Sequence, residues 1–229
     1  MKKVRVEAST KKDRTSEIFG NPMSKKVIRK AQKSKQKNQK KYGDDSKVNY
    51  QCIIRDNPCI GEPLGVKNVV VTRKEGKGSF DEEKGVIVGN IRMGFGHYRI
   101  SMAIASAAHA LGYTPYWMDL NSYPETTCTK LISAQNELYS LGSRISQKSK
   151  LFNKFVWEPV NYEGFRQLSY NAADQKNAEL MAPVYHSVPK DIPVIATHVW
   201  PAQAAVHAGM KHVAVSYTHL RAHETAANL

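Results

Sequence analysis

The chain has 229 residues, 41% of them hydrophobic, which is enough apolar material for a globular core. It has no run of roughly 18 apolar residues to span a bilayer, and its charged start lacks the apolar segment that a secretory signal would need. The net charge of +14 is gathered at one end, because residues 1–47 carry 16 Lys or Arg against 5 Asp or Glu, leaving +3 for the rest. Three cysteines, Cys52, Cys59 and Cys128, form no CxxC pair. Their odd number fits reduced thiols better than a disulfide framework, so a cytoplasmic protein is expected, peripheral to a membrane at most.

Residues 1–47 include Lys25-Lys26-Val27-Ile28-Arg29-Lys30 and a Lys- and Gln-rich stretch to Lys41. With so little to bury, they are expected to be a disordered basic tail, helical only transiently. Such a tail is either simply solvated or drawn to an anionic membrane surface. No aromatic residue interleaves the lysines from Lys25 to Lys41, so base stacking has little support and nucleic acid is the disfavoured partner. In residues 48–84, Tyr50 to Ile54 and Val66 to Thr72 read as short strands separated by Pro58, Gly61, Pro63 and Gly65, a connector or small β element. Gly76, Gly78 and Asp81-Glu82-Glu83 make a polar turn, which starts the main domain near residue 85.

Within 85–214, Val86-Ile87-Val88 is the β-branched run of a buried parallel strand. Tyr98 to Gly112 places Ile100, Ala103, Ile104, Ala107 and Leu111 on one helical stripe. Gly112 suits the cap, and Thr114 to Leu120 is a second strand, completing a βαβ unit. Thr129 to His186 reads as helices, with Leu131, Ala134, Leu138 and Leu141 at helical spacing and a further amphipathic stretch from Ala172 to Tyr185. The aromatics Phe152, Phe155, Trp157, Tyr162 and Phe165 between them are expected to pack a core, or to line a hydrophobic acceptor groove. Pro193 to Thr197 is a third strand, His198 to Trp200 its exit loop, Ala202 to Ala208 a short helix and His212 to Val215 a fourth strand. The alternation defines an α/β fold, a Rossmann-like parallel sheet with flanking helices.

The sharpest motif is Gly94-Phe95-Gly96-His97, between the first strand and a helix expected to begin near Tyr98. Glycines there permit close backbone approach, and a helix N-terminus offers unpaired N–H groups to an anion; Arg92 and Arg99 flank the loop. The same residues would also serve as a tight strand-to-helix turn with no ligand. Arg99 stands where the dinucleotide fingerprint needs its third glycine, and no Gly-x-x-x-x-Gly-Lys-Ser/Thr occurs, so neither common nucleotide motif fits. His97 is placed to project into the crevice at the strand ends, where an imidazole can act as general base; helix capping is its alternative. His198 and Asp119 also stand at strand ends, and Asp119 could orient a histidine or cap a helix.

Strand, Gly-Phe-Gly-His, small-residue helix, Gly112 and a strand ending in Asp119 together resemble the opening of the GT-B glycosyltransferases that use lipid-linked acceptors. The types concerned are monogalactosyldiacylglycerol synthase and the peptidoglycan lipid-intermediate N-acetylglucosaminyltransferase. The likeness covers residues 86–125 and 192–216, and Phe95 stands in place of a glycine of the usual motif. It implies one half of a GT-B architecture, with His97 as base, Gly94, Phe95 and Gly96 with Arg92 and Arg99 at the phosphate, and Asp119, Thr197, His198 and Trp200 lining the cleft. It also implies a nucleotide-sugar donor held by a second Rossmann-like domain and a glycosyl acceptor that could be lipid-linked, so that this fragment by itself should be inactive; from the residues, no cofactor or metal site is expected in it. Residues 215–229 resemble translated sequencing-adaptor read-through and are set aside; their His219 and His223 lack a third ligand. The alternative to a transferase is a non-catalytic α/β module that holds a phosphorylated ligand at Gly94 to His97 and sits on a membrane surface through its lysines.

Overall fold

The computed structural model of the chain describes residues 13–18, 20–74, 76, 79–92, 95–162 and 167–216. In chain order, a hairpin of β1 (Glu17–Ile18) and β2 (Asn21–Pro22) leads into α1 (Lys25–Tyr42). Then come β3 (Gln51–Asp56), the short α2 (Gly61–Leu64), β4 (Lys67–Thr72), β5 (Gly85–Asn90), α3 (Phe95–Ala110) and β6 (Thr114–Asp119). The helical middle comprises α4 (Thr127–Lys148), α5 (Lys150–Phe152), a π-helical stretch over Asn153–Trp157, α6 (Glu158–Tyr162), α7 (Leu168–Ala178) and a 3-10 turn over Ala182–Tyr185. It is followed by β7 (Val194–Ala196), α8 (Val199–His207) and β8 (Val213–Val215).

The six-stranded sheet has the order β3-β4-β6-β5-β7-β8, antiparallel only between β3 and β4 and parallel elsewhere. It is the expected α/β, Rossmann-like sheet with flanking helices. All of β5 is buried, because it lies between β6 and β7 and is covered on both faces. Successive residues alternate between two cores: Ile87 and Met118 join the larger one with Tyr185, Ile192 and Trp200, whereas Val88 and Trp117 join Val66 and Ala105 beneath α2 and α3. From β5 the chain crosses through α3 to β6 on one side, then returns through the helical middle to β7 on the other. The C-terminal ends of β5 and β7 therefore form a topological switch point, the place where open α/β sheets bind ligands.

Five expectations are corrected. The segment 25–42, expected inside a disordered tail, is an 18-residue helix whose Ser24 side chain accepts from Val27 N–H and whose terminal Gly43 N–H bonds to Gln39 O. Few residues suffice to dock it on α7: Ala31 is fully buried against Ala172, Asn38 bonds Asn177 at 3.0 Å, and Lys35 pairs with Glu179 at 2.6 Å. Residues 48–84 are a β element of the same sheet, since β4 pairs Lys67 with Tyr116 and Asn68 with Trp117, so no structural boundary falls at residue 85. The buried stripe of α3 is Ser101, Ala105 and Ala108, while Leu111 is 75% exposed, because small side chains let the helix lie close to the strands. Likewise α4 is buried only through Ile132 and then leaves the core, exposing Leu138 and Leu141, and Phe155 faces solvent instead of packing inside. Tyr162 ends α6, and Phe165 lies outside the described residues. No helix among the described residues is long and apolar enough to cross a membrane.

Candidate functional site

The switch point gathers a buried polar group. His97 sits in the first turn of α3 and is 9% exposed, and its Nδ1 lies 2.7 Å from the carbonyl oxygen of Thr197, just past β7. A carbonyl only accepts, so Nδ1 carries the hydrogen and the basic lone pair belongs to Nε2. Ser101 Oγ donates to His97 O at 2.9 Å and approaches Thr197 Oγ1 at 3.3 Å, tying the α3 turn to the end of β7. Burial pulls the His97 pKa below the ordinary histidine value, and the Thr197 bond opposes this in part. The ring is thus neutral near pH 7, a state that the positive end of the α3 dipole also favours.

His198 is the N-cap of α8, its side chain accepting the Trp200 N–H through Nδ1 at 3.2 Å. Its ring stands edge-on to His97, centroids 5.1 Å apart, and 4.7 Å from Trp200. Burial, then the neighbouring His97, push its pKa down to about 3. Trp200 Nε1 donates to Asp174 Oδ2 at 3.2 Å; burial raises this carboxyl to about 6, against the lowering effect of the tryptophan bond. His97, His198, Trp200 and Asp174 therefore form one line of contacts from the switch point to α7.

A second group lies at the end of β6. Arg92 Nε pairs with Asp119 Oδ2 at 2.8 Å, Arg92 N–H donates to Asn121 Oδ1 at 2.7 Å, and Ser122 Oγ donates to Asp119 Oδ2 at 2.9 Å. Asp119 thus orients Arg92, not a histidine. The two line a cavity of about 320 Å³ with Tyr98, Trp117, Ser122 and Asn68. His97, Thr197 and His198 are not among its lining, although Tyr98, which is, follows His97 directly in α3. A larger cavity of about 940 Å³, lined by Asp13, Lys176, Glu179, His186, His207 and Lys211 among others, contains none of the expected site residues.

The motif itself takes a different local form. Because α3 begins at Phe95, Gly96 and His97 are helical and not part of a loop; Gly96 is exposed, and a Cβ there would meet nothing within 4 Å, so no close approach demands a glycine. Gly94 lies outside the described residues, and Arg99 stands exposed on α3. Sequence reasoning missed Asn90, Ser101 and Asp174. Asn90 ends β5, fully buried, with Oδ1 3.5 Å from Thr197 Oγ1 and no partner for Nδ2 among the described residues. Ser101 could have been found four residues after His97 on one helical face; nothing local marks Asp174. Among the described residues no group of three or more His, Cys, Asp or Glu is placed to hold a metal ion.

Fold and site define a Rossmann-like α/β domain with a tautomer-fixed histidine at its switch point. The model of a domain of unknown function, DUF6937, matches residues 17–218, and the chain belongs to that family. The match takes in α1 and the β3–β4 hairpin, so both are parts of the family's domain. No curated protein and no solved structure matches the chain.

Proposed function

We propose that the chain is the acceptor-side half of a glycosyltransferase that uses a nucleotide-sugar donor. The observation that carries the reading is the 2.7 Å contact between His97 Nδ1 and Thr197 O, which holds the ring at the C-terminal end of β7, beside β5, with its basic nitrogen at Nε2. In the reaction, His97 Nε2 takes the proton of an acceptor hydroxyl as its oxygen bonds to the anomeric carbon. The bond from that carbon to the donor diphosphate breaks, and the diphosphate leaves with the electron pair. The imidazolium so formed keeps its Nδ1–H bond to Thr197 O, and Arg92, held by Asp119, offers a cation to the departing charge. The reading implies a second α/β domain for the donor. Its test is sugar transfer by a protein extended with the natural downstream sequence: His97→Ala should lower kcat by about 100-fold or more with the fold intact, and unchanged transfer overturns the assignment.

The lining of the smaller cavity favours a second reading, a non-catalytic module holding a phosphorylated ligand, since Arg92, Tyr98 and Asp119 line it and His97 does not. There, ligand binding by the chain alone should be lost in Arg92→Ala and kept in His97→Ala, whereas transfer requires both residues.

A further inference from the structure

The cations of α1 are arranged, not merely abundant. No acidic residue occurs between Glu17 and Asp44. At 3.6 residues per turn, Lys26, Lys30, Lys33, Lys37, Lys40 and Lys41 fall within an arc of about 100° and extend over about 22 Å. All six are exposed, as is Arg29 at the edge of the arc. The opposite face carries Val27, Ala31, Ser34, Lys35 and Asn38, which dock on α7 or pair with its neighbourhood, Lys35 meeting Glu179 at 2.6 Å. The helix is therefore held from behind with its lysine face outward.

We infer that this lysine face is an electrostatic docking surface for an anionic lipid bilayer. A straight stripe on a rigid helix presents all its charges to a flat surface at once, while a curved duplex backbone meets only some of them. Lysine is a compact point charge without the planar fork with which arginine grips phosphates and reads base edges, and the face holds six lysines to one arginine. Elsewhere on the surface, Leu151 and Phe155 are 72% and 67% exposed and adjoin Lys150 and Lys154 in sequence, chemistry suited to the headgroup boundary and foreign to a polyphosphate. The inference is independent of the transferase reading.

The test is co-sedimentation of the full chain with phosphatidylcholine vesicles, with and without about one-third phosphatidylserine. Binding should require the anionic lipid and weaken steeply as salt rises from about 0.05 to 0.5 M. Changing Lys26, Lys30, Lys33 and Lys37 together to Gln should reduce partitioning at least about tenfold, whereas the same four changed to Arg should retain it. These side chains are exposed, so circular dichroism should show helix content unchanged in both variants. Equal binding to neutral vesicles, full binding by the Gln variant, or tighter salt-matched binding to duplex DNA than to the anionic vesicles would each overturn the proposal.

Discussion

Asp174 and His198 both contact Trp200, with opposite acid–base consequences. The Asp174 carboxyl titrates near 6 in the folded chain, above its ordinary 3.8, because burial disfavours its charge. A folded pKa raised in this way stabilises fully below the unfolded value, and the gain is lost as pH rises through about 6. Asp174→Asn keeps an oxygen to accept the Trp200 N–H and removes the buried charge. It should raise unfolding stability at pH 8 by up to about 3 kcal/mol and change it little at pH 4. Urea unfolding at the two pH values checks this; a variant less stable than the parent at pH 8 would mean that the ionised carboxylate is needed. His198, depressed to about 3, acts in the reverse sense, its contribution being lost as pH falls from about 6.5. The parent's acid limb therefore contains these two opposed titrations alongside those of His97, His207, Asp13, Asp44 and Glu179, and the Asn variant removes one of them. His97 was legible in the sequence because a βα junction fixes where its residues go. Asp174 was not, because its contact with Trp200 depends on packing α7 against α8 across 26 residues of chain.

At the scale of elements, what the sequence revealed follows from how each element buries itself. β5 and β6 are unbroken runs because both their faces are covered, and Gly112, with φ +79°, closes α3 where a left-handed residue was expected. The face of α3 was misread because hydropathy favours Ile and Leu, whereas contact with the sheet here favours Ser101, Ala105 and Ala108. Gly85 at the start of β5 shows how tightly the central strand is fitted: a Cβ there would collide with the Asp81 carbonyl oxygen and approach Tyr116 Cε2 to 2.8 Å. Neither neighbour can yield easily, since Tyr116 is buried, packs edge-on against Phe80 and accepts the Asp81 N–H through its hydroxyl at 2.8 Å. Gly85→Ala should therefore cost about 3 kcal/mol in denaturant unfolding. A loss below about 0.5 kcal/mol would show that the turn before β5 relaxes freely.

For the molecule as a whole, the decisive contacts join segments far apart in the chain, which is why neither composition nor a local turn shows that α1 and the β3–β4 hairpin pack with the later elements. Low apolar content argued for a disordered start, yet α1 needs only a narrow seam once α7, well over a hundred residues later, supplies Ala172, Leu168 and the Asn177 and Glu179 partners. The two strands of the β3–β4 hairpin are legible locally, but the sequence leaves open a connector or a small β element because the pairing of β4 with β6 is invisible there. If α1 is a structural part of the domain, a chain begun at Val48 should leave the seam on α7 open and strip Lys35 and Asp13 from the ion pairs of Glu179 and Lys176. Losing the burial of Ile18, Val27 and Ala31 removes roughly 1–3 kcal/mol per large side chain. Such a chain should therefore melt at a clearly lower temperature, with hydrogen exchange fastest along α7 and least changed in β5. Equal melting temperatures and equal protection of α7 in the two chains would show instead that α1 rests on the domain without supporting it, and would leave the lysine face as its sole contribution.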